Sequence, residues 1–386
     1  MLRLMGLAAF ASMASMRVTD PMLVALSREF KVTTGDASAV IAAFAVAYGV
    51  LQIVYGPLGD RLGKARVVAF ATAGCAVFSL ATALAPSLAL LVAARALMGA
   101  AGAGIIPLCM AWIGDRVPYD QRQVTLARLM GATVTGMMAG QWFGGFATEA
   151  LGWRAAFVVL ALLFGTAAAL LWRHARADAA RQPATAFSLP AYLAALRGLL
   201  GMPRVRWVLA MVGIEGVLGF GTLAFVPARM VEGFGMSAAA AGGVMVFYGV
   251  GGLLYSLLAR RWLAWLGEQG LVLVGAALVA TGLLLLAWAW AAVAAVLGCL
   301  LAGLGFYMLH NTLQVQATQM APQARGMAVT LFACVLFLGQ STGVTAVGFG
   351  VDRGWLQGAF SAAALGVLVL GAAVSRQVRP RSARAQ

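Results

Sequence analysis

The chain has 386 residues, 62% of them apolar and only 10% charged, with a mean hydropathy of +0.92. Soluble domains carry about 45–50% apolar residues, so these figures exclude a water-soluble enzyme or binding module and define a polytopic membrane protein. The net charge of +15 invites a nucleic-acid reading, which the placement of the charges argues against.

Apolar runs near the ~20 residues needed to cross a bilayer recur along the whole length. They fall at 4–26, 37–58, 66–85, 87–113, 124–147, 153–172, 207–227, 238–258, 270–288, 291–316, 327–350 and 355–374, here numbered spans 1 to 12. With the amino terminus cytoplasmic, twenty basic residues fall on that side, among them Arg61, Lys64, Arg66, Arg116, Arg122, Arg128, Arg260, Arg261 and Arg325. The opposite loops keep five, namely Arg28, Lys31, Arg154, Arg229 and Arg353. That bias places both termini in the cytoplasm, and Arg17 and Arg95 are left inside spans.

Residues 1–16 have the look of a secretory signal, with Arg3 ahead of a short apolar run. Removing them would leave eleven spans and break the internal repeat, so they are read as part of span 1. Cys75, Cys109, Cys299 and Cys334 fall in apolar helices at no metal-like spacing and are read as packing residues. No metal or other cofactor is expected.

Residues 173–206 form the one long polar connection, rich in arginine and carrying Asp178, Pro183, Pro190 and Pro203. Within it, Ser188, Pro190 and an apolar stretch ending near Gly201 read as a capped helix on the membrane surface. The chain therefore divides into an amino-terminal bundle over 1–175, a cytoplasmic linker over 176–205, and a carboxy-terminal bundle with a short basic tail over 206–386.

The two bundles read as copies. Tyr48-Gly49-Val50 with Tyr55 matches Tyr248-Gly249-Val250 with Tyr255 at an offset of 200, and Gly140-Gln141-x-x-Gly144 matches Gly339-Gln340-x-x-Gly343. Six spans per copy give both the same orientation, an arrangement of alternating-access carriers with a central site between the halves.

Three stretches carry a family resemblance covering nearly the whole chain. Gly56-Pro57-Leu58-Gly59-Asp60-Arg61-Leu62-Gly63-Lys64-Ala65-Arg66 resembles the signature loop of the major facilitator superfamily, with Ala65 where a second basic residue is common. Arg95-Ala96-Leu97-Met98-Gly99 is similar to that family's span 4 motif, with Met98 in place of glutamine. Gly136-x-x-x-Gly140-Gln141-x-x-Gly144-Gly145 is similar to its antiporter motif, with Gln141 in place of proline. The resemblance implies an all-α fold of twelve transmembrane helices in two parallel six-helix repeats, and transport driven by the proton gradient. It also implies a cytoplasmic latch at Gly56, Asp60, Arg61, Gly63, Lys64 and Arg66, and a role for Arg95 in the protonation of a nearby acid. The offset of 200 puts Arg260 opposite Asp60, so a one-sided latch is expected.

Asp20 and Glu215 are the carboxylates inside spans, where each costs roughly 2.5–3.5 kcal/mol on insertion scales and so faces protein or water. Arg17 and Asp20 are neighbours on a helix surface, which fits either an internal ion pair or a site for a proton or a cationic cargo group. Changes of access or partner would switch the protonation of Asp20 during a cycle, and exporter branches of the family place an acid in span 1. Glu215 is taken as the equivalent acid of the second half. His310, Asn311 and Gln314 in span 10 offer a relay near neutral pH, or a structural histidine. Gln141, Gln340, Tyr48 and Tyr248 are candidates for lining the cavity.

No phosphate-binding loop supports ATP drive and no nucleophile elbow supports an enzyme. The expectation is a monomeric carrier in a bacterial inner membrane, exporting a small amphiphilic compound in exchange for protons. Its partners are then a small-molecule substrate, protons and lipid, not nucleic acid. Uptake or export of a metabolite such as a sugar or organic anion, which Arg17, Arg95 and His310 would suit, and a non-transporting sensor are the alternatives.

Overall fold

The structure is a computed structural model that describes residues 1–178, 188–289 and 291–378. Arg181 and Pro183 of the linker, and the tail arginines Arg379, Arg381 and Arg384, lie outside the described residues.

Among the described residues every regular element is helical, as burial in lipid demands when each backbone N–H and C=O must find its partner within the protein. Span 1 is not the continuous helix expected over 4–26. It consists of Leu2–Arg17, a 3-10 turn Asp20–Met22, and Leu23–Phe30. Pro21 breaks it, because the ring lacks an N–H and clashes with the carbonyl four residues back, that of Arg17. Span 2 is Thr34–Leu62, span 3 Lys64–Ala83, span 4 Leu88–Arg116, span 5 Tyr119–Ala150 and span 6 Trp153–Asp178. The last extends beyond the expected end at 172 and takes in Asp178. The surface helix is Leu189–Gly201, capped by Ser188, whose Oγ accepts from Ala191 N–H.

Span 7 is Pro203–Phe234, with a π-helical turn at Gly216–Phe220. Spans 8 and 9 share Ala238–Trp288 and part at Gly267, where φ is 66°. Span 10 is Ala292–Gln319, span 11 Arg325–Val351 and span 12 Leu356–Gln377. Among the described residues nine helices are long and apolar enough to cross a membrane, and Ala238–Trp288, one of them, contains two spans. Span 1, interrupted at the acid, and the glycine-rich span 5 complete the twelve.

Without a hydrophobic force between helices in lipid, close packing rests on small residues, and their contacts reveal the repeat. Gly136 and Gly140 face the carbonyls of Phe10 and Ala14, and Gly339 and Gly343 face those of Gly213 and Val217, so both members of each contact differ by 203. Likewise Gly99 faces the Phe44 carbonyl and Gly303 that of Tyr248, both shifted by 204. The turn glycines Gly63 (φ 90°) and Gly267 (φ 66°) keep the same 204 spacing.

The registration expected from the motifs is thus displaced by one helical turn. Tyr248 corresponds to Phe44 rather than Tyr48, Gln340 to Met137 rather than Gln141, and Asp60 to Ala264 rather than Arg260. Asp20 corresponds to Leu223 and Glu215 to Ser12, so the two acids are not equivalents. The physical reason is that glycines recur every four residues on the packed face, so a one-turn slip still lays glycine on glycine.

The halves meet along spans 2 and 11 and along spans 5 and 8. Hydrogen bonds join them on the face opposite the termini, linking Asp352 to Thr33 and Gly35, Glu232 to Thr34, and Glu149 to Ala239. The structure is closed on that face. On the terminal face Lys64 pairs with Asp115, Arg204 donates to Gln316, and Tyr192 of the surface helix donates to the Ile53 carbonyl at 2.7 Å.

Candidate functional site

Span 1 breaks so that Asp20 starts the 3-10 turn in the protein interior, fully buried. Its Oδ2 lies 3.6 Å from Arg17 Nη1 and accepts from Gln141 Nε2 at 3.5 Å, while Oδ1 has no hydrogen-bond partner among the described residues. The Arg17 guanidinium sits 4.4 Å above the Phe220 ring of the second half. Residues 17 and 220 differ by the repeat spacing of 203 and touch one another, which puts the pseudo-two-fold axis through this contact. Gln141 replaces the family's proline, leaves span 5 unbroken, and supplies the amide that reaches Asp20.

Arg95 is wholly buried and so does not anchor at the membrane interface. Its Nη1 donates to the Ser15 carbonyl at 2.9 Å and lies 3.4 Å from Met98 Sδ, and its guanidinium stacks 4.3 Å from Phe44 and 5.7 Å from Phe157. A guanidinium with five donors in this setting needs such acceptors and ring faces. Met98, standing where the family has glutamine, provides one of them.

In the second half Glu215 lies at the last turn before the π-helical segment, 2% exposed. His310 Nδ1 is 2.9 Å from its Oε2, and Oε1 is without a hydrogen-bond partner among the described residues. The imidazole stacks on Phe306 with ring centroids 5.1 Å apart and leans on Phe332. Phe306 in turn meets Phe220 at 4.7 Å. A continuous run of rings therefore connects the Arg17–Asp20 pair to the Glu215–His310 pair. Sequence reasoning missed Phe220, Phe306 and Phe332; the four-residue spacing of Phe306 and His310 on one helix face was the available signal.

The remaining candidates divide. Tyr248 is buried beside Phe306, with its hydroxyl unpartnered among the described residues and within electrostatic reach of Arg17 and Glu215. Tyr48 packs on Phe44 and edge-on against Phe337 of span 11, sealing the seam between halves. Gln340 is buried, its side-chain oxygen likewise without a partner there and its backbone close against Gly216 of span 7. Asn311 is half-buried, whereas Gln314 is exposed and does not share the surroundings of His310. Gln316, also of span 10, bonds Arg204 instead.

At the signature loop Lys64 Nζ lies between Asp60 (3.3 Å) and Asp115 (2.5 Å) and bridges them, and Asp115 joins a latch that omitted it. Gly63 takes the positive φ that reverses the chain into span 3, while Arg61 is exposed and Gly56 has open space around it. Partly exposed ion pairs contribute about 0–1 kcal/mol. Asp115→Asn should therefore lower thermal stability only slightly while changing transport rate, and a large fall in melting temperature would contradict a purely conformational role.

Two parallel six-helix repeats with ionisable groups buried at their shared axis define a membrane transporter, not an enzyme. The sequence profile of the Major Facilitator Superfamily matches residues 5–344. The chain belongs to the major facilitator superfamily, whose members carry small molecules across membranes. It is similar to the uncharacterized MFS-type transporter YceJ of Bacillus subtilis, 23% identical over 340 residues that cover 86% of this chain and 84% of that one. It is also similar to Multidrug resistance protein D of Escherichia coli, 32% identical over 169 residues, 42% of this chain and 41% of that protein. Among solved structures it superposes on a mutant of the nucleoside transporter NupG with a TM-score of 0.78, at 15% identity, covering 98% of this chain and 99% of that one. At that identity the likeness is one of fold.

Proposed function

We propose that this chain is a proton-coupled exporter, a monomer of the bacterial inner membrane with both termini in the cytoplasm, that moves a small amphiphilic compound outward in exchange for protons. The observation that carries the reading is Asp20, a fully buried carboxylate at a helix break, held by Arg17 and Gln141 with one oxygen left unpartnered among the described residues. A buried acid with a single close counter-charge changes protonation when that partner moves or water enters. Arg17 also touches Phe220 of the other half, so rearrangement of the halves moves the partner. Glu215 with His310 forms a second carboxylate–imidazole pair on the far side of the ring stack.

In this cycle the acid takes up a proton when the site opens outward and releases it toward the cytoplasm as cargo binds. The likeness to the multidrug efflux pump LfrA of Mycolicibacterium smegmatis, 31% identical over 135 residues, supports that direction. Efflux of lipophilic dyes from cells expressing the protein tests it, with accumulation lowered by wild type and restored by a protonophore. Accumulation unaffected by expression across cationic, neutral and anionic dyes would overturn the exporter reading.

A separate expectation concerns His310. His310→Gln removes the imidazole that bonds Glu215 and stacks on Phe306, so the pH dependence of transport should change. An unchanged pH profile would assign His310 to packing alone.

A further inference from the structure

Two of the contacts that close the face opposite the termini are copies of one another. Asp352, just after span 11, reaches across the seam to the start of span 2, where its Oδ1 accepts from Gly35 N–H at 2.8 Å and its Oδ2 from the Thr33 hydroxyl at 2.8 Å. Glu149, near the end of span 5, reaches in the other direction to the start of span 8, where its Oε2 accepts from Ala239 N–H at 3.1 Å. Positions 149 and 352 differ by 203, and positions 35 and 239 by 204, the spacings of the repeat in these spans. The capping residues obey the same rule, since Thr33 accepts from Asp36 N–H and Ser237 from Ala240 N–H. So do the glycines that admit the approach. A methyl group on Gly348 would lie 3.1 Å from Gly35 Cα, and one on Gly145 3.2 Å from Ala239 Cα.

We propose that Glu149 and Asp352 form a reciprocal clasp, each half offering a carboxylate to a helix amino end of the other, and that this clasp sets how readily the protein opens on the face opposite its termini. The physics favours such a pair. The first N–H groups of a helix have no partner within it, and the helix end carries partial positive charge that attracts a carboxylate. Hydrogen bonds to a charged acceptor are roughly twice as strong as neutral ones. Both contacts break in one motion when the halves separate on this face, because both cross the seam. Neither touches the central site, so the clasp acts on the conformational equilibrium whatever the cargo or coupling ion.

The test places spin labels at Ala89→Cys and Ala292→Cys, exposed positions on the same face in opposite halves, and reads the distance distribution in the full-length protein. The four native cysteines are buried. Glu149→Ala should raise the ratio of long to short distances about tenfold, a change of about 1.4 kcal/mol, and Asp352→Ala should raise it further, because it also loses the bond from the Thr33 hydroxyl. Glu149→Gln and Asp352→Asn keep a carbonyl acceptor and should shift it less. Asp36→Ala removes a nearby carboxylate whose side chain takes no part in the clasp and should shift nothing. Distributions unchanged in both alanine variants, or moved equally by Asp36→Ala, would overturn the proposal. Should an alanine variant fail to fold, its amide variant decides by the same readout.

Discussion

Asp20→Asn is expected to reduce proton-coupled transport to background while the protein still inserts and folds. Asparagine is nearly isosteric, keeps an acceptor for Gln141, and cannot carry a proton, so the coupled component disappears rather than slows. The same change leaves Arg17 without its 3.6 Å counter-charge in a buried setting. Removing one partner of a buried pair costs about 3–5 kcal/mol, because the other charge is left uncompensated. The stacking of Arg17 over Phe220 offsets part of that, so a lower melting temperature, not loss of the fold, is expected. Adding Arg17→Gln should recover stability without recovering coupling, since non-additivity is the signature of groups in contact. A double variant that transports as wild type would remove Asp20 from the mechanism.

The second large effect concerns packing. At Gly140 a methyl group would lie 2.7 Å from Ala14 Cα and 2.8 Å from its carbonyl carbon, both backbone atoms that cannot rotate away. At Gly343, its counterpart, a methyl would lie 2.8 Å from Val217 Cα and 2.9 Å from its carbonyl carbon. Gly140→Ala and Gly343→Ala should each destabilise by about 1–3 kcal/mol, the cost of overpacking where the backbone must shift. Gly114→Ala and Gly131→Ala, whose added methyl meets nothing within 4 Å, should be neutral. Thermal unfolding in detergent reads all four, and equal melting temperatures across the set would mean that spans 1 and 5 and spans 7 and 11 are not packed as described.

Much of this architecture was legible because lipid imposes a simple rule: long apolar runs, basic loops on one face, and two similar halves. The break in span 1 was also within reach, since Pro21 removes a backbone donor one residue after the acid. The registration of the repeat was not, because glycines four residues apart on span 5 and span 11 match equally well when one helix slips by a turn. Glu215 looks like the partner of Asp20 only as the carboxylate inside the expected span 7, whereas the residue that meets span 1 at the axis is Phe220. Of the expected site residues, Arg17, Asp20 and Gln141 come together, as do Glu215 and His310. Their link through Phe220 and Phe306 depends on contacts between separate spans, which no local pattern encodes. Glu149 and Asp352 were passed over for a related reason. They sit near helix ends, where a carboxylate is ordinary until the helix amino end it reaches is known.

Proton movement in everted membrane vesicles, started by adding cationic, neutral or anionic amphiphiles to an established pH gradient, reads proton-coupled export and the part of Asp20 in it. At least one amphiphile should dissipate the gradient in vesicles carrying wild-type protein and not in those carrying Asp20→Asn at equal expression. Dissipation that persists in the variant, or no response of the wild type to any compound, would contradict it.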